Sequence, residues 1–345
     1  MPRSSAWLAI WADGPAHAIL AAEGLAPVRL ARQEARARIG SVFDAWLPDV
    51  VVVGNSCGPS LEDVFVEAAR RRGIPSVGVL NTWLLYDQKF ADGADLWAYM
   101  PDQLVVMDEL SKEEMVKLGA PAERLLPLGQ PQFDELHHRR ASFTEADKRA
   151  VRATLGAAPA ERLVLFLSQD MENFYGGAEA VLAELGFSEY MVFDLLKESL
   201  RRLAHRRRDV VRLAVKLHPR ETASKYASSG IPVVKEADAY RLMMSADLVV
   251  GMDTILLIEA GVLGCPTLSV QPHRKGVDSL VTNRLGLGRF CYDPNALDAH
   301  LDALLYDPSH REAAIRDMQR FTPRTGATQR VTELTQRHLL VQEAC

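Results

Sequence analysis

Short apolar runs alternate along the chain with longer amphipathic stretches, the pattern of βαβ units whose parallel sheet is covered on both faces. In the first half this predicts strands at 7–11, 50–54, 76–80 and 103–107, with helices at 16–23 and 61–72. Val50 to Val53 form a β-branched run closed by Gly54, and Gly73-Ile74-Pro75 stops the helix before the next strand. The segment 125–136, LLPLGQPQFDEL, is rich in Pro and Gly and leads to a polar helix capped near Thr144. The alternation then resumes, with strands predicted at 162–168, 210–217, 231–234, 248–251 and 267–270 and a helical stretch from 307 onward. The expected architecture is α/β: two Rossmann-like, doubly wound domains facing across a cleft, at 1–135 and 136–345.

Composition is consistent with this and narrows the partners. A chain of 345 residues exceeds what one core serves, and 48% hydrophobic with 25% charged residues excludes global disorder. The formal charge is −5, from 40 basic and 45 acidic residues, and no basic run is longer than 206–208, so no nucleic-acid partner is expected. Cys57, Cys265, Cys291 and Cys345 stand far apart without zinc-ligand spacing and read as reduced thiols. The N-terminal apolar run is too short for a signal peptide and is broken by Asp13, and no apolar window is long enough to span a membrane. A cytoplasmic location is expected. The apolar stretch 83–86 reads foremost as core packing, with an acceptor wall, a homodimer contact or a peripheral membrane contact as alternatives.

In a doubly wound sheet, ligands bind beyond the carboxyl ends of the strands, where helix N-termini favour negative charge. Candidate chemistry is therefore sought in the strand-to-helix turns. The sharpest is Lys216-Leu217-His218-Pro219-Arg220: Pro219 disfavours helical geometry at His218 and fixes an imidazole at a strand tip, where it can donate to a phosphate oxygen. Asp253 and Thr254 follow the strand at 248–251, either as a helix cap or, with free N–H groups, as a diphosphate cradle. Glu259 falls among apolar neighbours, where a carboxylate needs a salt bridge or a ligand hydroxyl pair. Ser168 opens a turn containing aromatics and paired glycines, and His273 with Arg274 forms a basic turn after the last predicted strand. In the first half, Asp13 and His17 flank Gly14-Pro15 at the start of a helix, where Asp13 is a cap or, with His17, a base for an acceptor hydroxyl.

The P-loop, dinucleotide, zincin and nucleophile-elbow motifs are missing, and Asp247 and Asp253 do not form a D-x-D pair. No metal ligands and no cofactor are expected. Positive side chains and helix tips would neutralise a leaving phosphate.

LLPLGQPQFDEL, KLHPRE and ADLVVGMDTILLIEAGVLGCPTLSV together resemble the GT-B superfamily of nucleotide-sugar glycosyltransferases, with the related UDP-N-acetylglucosamine 2-epimerases and CDP-glycerol glycerophosphotransferases. The resemblance implies a C-terminal domain that binds a nucleotide-sugar donor, with His218 on its phosphate, Asp253 and Thr254 at the phosphate-binding loop and Glu259 on the ribose. It implies an N-terminal acceptor-side domain, and Asp13-Gly14 is similar to the acidic base motif of several CMP-sialic acid transferases. The implied activity is transfer of a UDP- or CMP-linked sugar to an acceptor hydroxyl. A 2-epimerase, a CDP-glycerol-type phosphotransferase and a non-catalytic nucleotide-sugar-binding protein are the alternatives. Met252-Asp253-Thr254 departs from the Ser and Gly residues usual before this helix in the epimerases and phosphotransferases, and it places a carboxylate where a diphosphate is expected.

Overall fold

The computed structural model describes residues 8–222, 224–321 and 325–341. The chain divides into two compact units after Pro131, with the C-terminal helix Ala327–Val341 counted in the first. The sequence-based division at 135 assigns that helix to the second domain. Packing explains the difference: Leu334 lies against Val77 and Val105 of the first sheet, and the Arg330 Nε donates to the Leu128 carbonyl at 2.9 Å.

In the first unit, β1 (Trp11–Ala12) pairs in parallel with β2 (Val28–Arg29). A separate four-stranded parallel sheet runs in chain order through β3 (Val51–Val53), β4 (Ser76–Val79), β5 (Gln103–Val106) and β6 (Leu125–Pro127). Residue 7 of the expected first strand lies outside the described residues. The helix Leu61–Arg72 forms where its sequence signals place it, because Ser60 and Asp63 close a reciprocal capping box and Gly73 ends it at φ 65°. Trp83 and Tyr86 are buried, and their polar tips reach Asp108 and Glu114, both at 2.8 Å. Core packing is thus what these two aromatics do.

The second unit is one six-stranded sheet whose strands are all parallel. Its strands are β7 (Arg162–Leu167), β8 (Val211–Lys216), β9 (Val233–Val234), β10 (Leu248–Gly251), β11 (Thr267–Val270) and β12 (Phe290–Cys291). Their order is β12-β11-β10-β7-β8-β9, the doubly wound order in which the chain starts centrally, builds to one side and then crosses to the other. Val164 and Phe166 of β7, Val215 of β8 and Val250 of β10 share one buried core with Phe193, Leu196 and Leu200 of the helix Glu189–Arg207. The strand order reverses between β7 and β10, so the crevice at their carboxyl ends is where a ligand site is expected. Among the described residues, no helix is long and apolar enough to cross a membrane.

Candidate functional site

Gln169 follows β7 and Asp253 follows β10, and the two side chains meet across the switch point. The Gln169 amide donates to Asp253 Oδ1 at 2.8 Å and accepts from the Asp253 backbone N–H at 3.3 Å. Ser279 donates to the other oxygen, Oδ2, at 3.1 Å. Burial holds this carboxyl above the usual carboxylate range, against the hydrogen bonds from Gln169 and Ser279. The capping expectation for Asp253 is not met, because its oxygens are engaged sideways. The helix Leu256–Val262 starts without a side-chain cap on its N-cap residue Ile255, and the Thr254 hydroxyl accepts from the Leu256 N–H at 3.3 Å.

At the tip of β8, the turn of His218 is bolted down by a buried charge network. Glu221 Oε2 accepts from the His218 backbone N–H at 2.6 Å, while Oε1 accepts from the Ser168 hydroxyl at 2.7 Å and from the Lys225 ammonium. Lys225 also donates to Glu189 at 2.7 Å and to the Gln169 carbonyl at 3.2 Å, which ties the β8 turn to the β7 turn. Both carboxylates are almost fully buried. One lysine serves two of them, so each must draw on neutral donors as well.

The His218 ring is thereby fixed in tautomer. Its Nδ1 accepts from the Arg220 N–H at 3.2 Å, which leaves the proton of the neutral ring on Nε2. Burial, then the neighbouring Arg220 cation, lowers the imidazole pKa and favours that neutral form. The result is an N–H donor at the strand tip. The exposed Arg220 guanidinium lies 5.8 Å from the Phe174 ring centroid. Lys216 is turned inward: its ammonium donates to the Leu217 carbonyl at 2.9 Å and the Lys235 carbonyl at 2.8 Å.

Glu259 sits on the helix after β10 and is only 7% exposed. Burial pushes its carboxyl up to about 7, with a hydrogen bond from Tyr240 acting the other way. Tyr240 in turn accepts from the Gln132 amide at 2.6 Å. The Oε2 atom of Glu259 is buried with no hydrogen-bond partner among the described residues. A buried carboxyl oxygen left unpaired costs about 1–3 kcal/mol.

The remaining sequence-selected residues of this unit are placed differently. Ser168 is buried between Glu221 and the Tyr226 hydroxyl, 2.8 Å away, and acts within the network. His273 is exposed at φ 57°, and its carbonyl packs so closely on Gly186 that a Cβ there would clash. Arg274 is drawn back to Gln271 and the Val277 carbonyl within its own loop. Sequence reasoning named Gln169 only as part of a turn and missed Glu221, Lys225 and Tyr240 as site builders. Among the described residues, no group of three or more His, Cys, Asp or Glu side chains is placed to hold a metal ion.

The sequence matches no protein-family model and no curated protein. Solved structures do match over most of the chain. UDP-GlcNAc 2-epimerase from Neisseria meningitidis bound to UDP-GlcNAc is 14% identical with a TM-score of 0.64, covering 89% of this chain and 81% of that one. The S. aureus MnaA–UDP structure is 13% identical with a TM-score of 0.65, covering 93% and 85%. The wall teichoic acid polymerase TagF is 15% identical with a TM-score of 0.59, covering 92% and 78%. The fold is GT-B.

In this GT-B chain the first unit carries Asp13 and His17 at the end of β1. Asp13 is exposed and accepts from the Gly14 N–H at 2.7 Å as the cap of the helix Gly14–Ala22. His17 lies one turn further along the same helix and is half-buried. Capping engages the Asp13 Oδ1 atom.

Proposed function

We propose that this GT-B protein is an enzyme that holds a nucleotide-linked sugar at the strand tips of its second unit and transfers the sugar to an acceptor hydroxyl. The observation that carries this reading is the unpartnered Glu259 Oε2, buried on the helix that follows β10. A ribose offers two adjacent hydroxyl donors, which would satisfy that oxygen where the protein does not. The neutral His218 ring presents its Nε2–H from β8, on the other side of β7, and would donate to the phosphates as charge develops on the leaving group. Two structural neighbours, bound to UDP-GlcNAc and to UDP, support a UDP-type donor.

In this reading the network of Glu221, Lys225 and Glu189 holds the His218 turn rigid, so the imidazole does not have to be ordered on binding. Burial shifts the Asp253 carboxyl toward its neutral form, which lessens its repulsion of a diphosphate. The first unit is the acceptor side, with Asp13 as the base that takes the acceptor proton and His17 beside it. His273 and Arg220 lie on exposed turns and would contact the outer part of the donor.

A second reading has a specific observation behind it: neighbours of this fold are themselves named UDP-GlcNAc 2-epimerases. Turnover separates the two. Incubated with UDP-GlcNAc or other UDP- and CMP-sugars, a transferase releases free nucleotide in step with glycosylated acceptor. An epimerase converts the sugar nucleotide with no acceptor present. Nucleotide binding without turnover in a broad acceptor screen overturns both.

A further inference from the structure

The second unit carries a cavity apart from the strand tips. It measures about 270 Å³ and is open on one side. Its walls are His137 and Arg140 of the helix Pro131–Ser142, Val262 at the end of the helix Leu256–Val262, and Met318 and Gln319 of the helix Pro308–Arg320. Two glycines shape it. A Cβ on Gly261 would strike Met318, so the helices of Val262 and Met318 approach closely and make an apolar floor. Gly264 stands at φ 82°, and a Cβ there would lie 2.9 Å from Arg140 Cζ, so the guanidinium rests against the chain that leads from Val262 into β11. The cavity therefore lies toward the amino end of β11, whereas His218 and Asp253 stand at the carboxyl ends of β8 and β10.

Its charge is one-sided. Arg140 forms no ion pair among the described residues. Its Nη1 lies 3.5 Å from the Val262 carbonyl, a weak contact at the negative end of a helix. The Gln319 amide oxygen, turned toward the guanidinium, accepts from Nη1 at 3.0 Å and from Nη2 at 3.3 Å. That leaves the Nε–H and one Nη2–H, which share one edge of the fork, for solvent or a ligand. No acid lines the cavity, and acids on its helices are paired elsewhere: Glu135 with Arg139, Glu312 with Arg316 and Asp317 with Arg289. The charges that act on the buried Cys265 thiol, next to Gly264, are Arg140, Lys148 and Arg311, all cations. His137 Nε2 is buried with no hydrogen-bond partner among the described residues.

We infer that this cavity binds a small organic phosphate, whose phosphate pairs with the free edge of Arg140, whose oxygen supplies the partner that His137 lacks, and whose carbon skeleton lies on Val262 and Met318. A phosphate suits the fork because two parallel N–H groups meet one anion and no carboxylate competes. Bare phosphate leaves the apolar floor uncovered, and a neutral sugar leaves the guanidinium with water. The site stands whether or not the chain is a transferase.

Calorimetric titration of glucose 1-phosphate, inorganic phosphate and glucose into the full chain tests this, with UDP at saturation to occupy the strand tips. Glucose 1-phosphate should bind saturably, inorganic phosphate more weakly and glucose not measurably. Arg140→Gln keeps amide donors beside the Val262 carbonyl and removes the charge. It should weaken glucose 1-phosphate binding about tenfold or more and leave UDP affinity unchanged. On the wild type without UDP, glucose 1-phosphate should also slow phenylglyoxal modification of Arg140, read by peptide mass mapping. That measurement needs no variant and decides the matter should Arg140→Gln fail to fold. The site is overturned by glucose 1-phosphate that does not bind the UDP-loaded protein or binds no tighter than inorganic phosphate, by equal binding to folded Arg140→Gln, or by an unprotected Arg140. Absence of UDP binding would count against the donor site alone, because protection of Arg140 is read without UDP.

Discussion

Gln169 and Asp253 are joined by reciprocal hydrogen bonds of 2.8 and 3.3 Å across the point where the strand order of the second unit reverses. A carboxyl is thus lodged, by burial and an amide, where a diphosphate is expected. Asp253→Asn removes the ionisable group and keeps the size. Nucleoside diphosphate affinity is expected to rise in this variant, and to rise more at pH 8 than at pH 5. The sign follows from the raised pKa: the wild-type group is mostly neutral at low pH and ionises, repelling phosphate, as pH climbs through its folded value. Calorimetric affinities at the two pH values check this, and a loss of affinity at pH 8 contradicts it.

Glu259 links stability to pH in a defined window. Its folded pKa of about 7 exceeds the ordinary value of 4.5, so the folded state holds the proton more tightly and is penalised as pH rises from 4.5 to 7. Above that window the penalty is constant, on the order of 3 kcal/mol at most. Glu259→Gln is therefore expected to be more stable than wild type at pH 8 and no more stable below pH 4.5. Urea unfolding at several pH values measures the difference. The same variant should bind nucleotide more weakly, because the amide is a poorer acceptor for a hydroxyl pair.

Lys225 stands between Glu189 and Glu221, both nearly fully buried. Lys225→Met leaves two buried carboxylates without their cation, and a loss of about 3–5 kcal/mol is expected. Adding Glu189→Gln should recover part of it by removing one of the stranded charges. Denaturant midpoints of the single and double variants decide this, and an additive double variant would show that the two side chains are not coupled.

Much of this was legible in the sequence because local and global signals agree there. The helix expected at 61–72 and stopped by Gly73 forms at Leu61–Arg72, and the strand expected at 210–217 forms at Val211–Lys216, just before the turn of His218 and Pro219. β6 was read as linker because Pro127 ends it and Gly129 and Pro131 follow, yet edge strands tolerate proline. β2 and β12, with two residues each, are too short for a period of two to register. The site residues that went unnoticed depend on distant partners. Glu221 and Lys225 are one helical turn apart in sequence, but their role needs Glu189, far upstream in the chain.

His218 offers a narrower prediction. His218→Ala removes one neutral donor to phosphate and should weaken nucleotide binding by about 3- to 10-fold, the equivalent of about 0.5–1.5 kcal/mol. His218→Gln, which restores an N–H donor, should recover part of the loss. Equal affinity in wild type and both variants would remove His218 from the site.

The central claim is that the second unit grips a nucleotide between His218 and Glu259, and titration calorimetry of UDP, CDP, CMP, GDP and TDP against the full chain tests it most directly. At least one of these nucleotides should bind the wild type saturably, and the combined His218→Ala and Glu259→Ala variant should lose about tenfold or more of that affinity while remaining folded. Binding by none of the five, or undiminished binding by the folded double variant, would contradict the account.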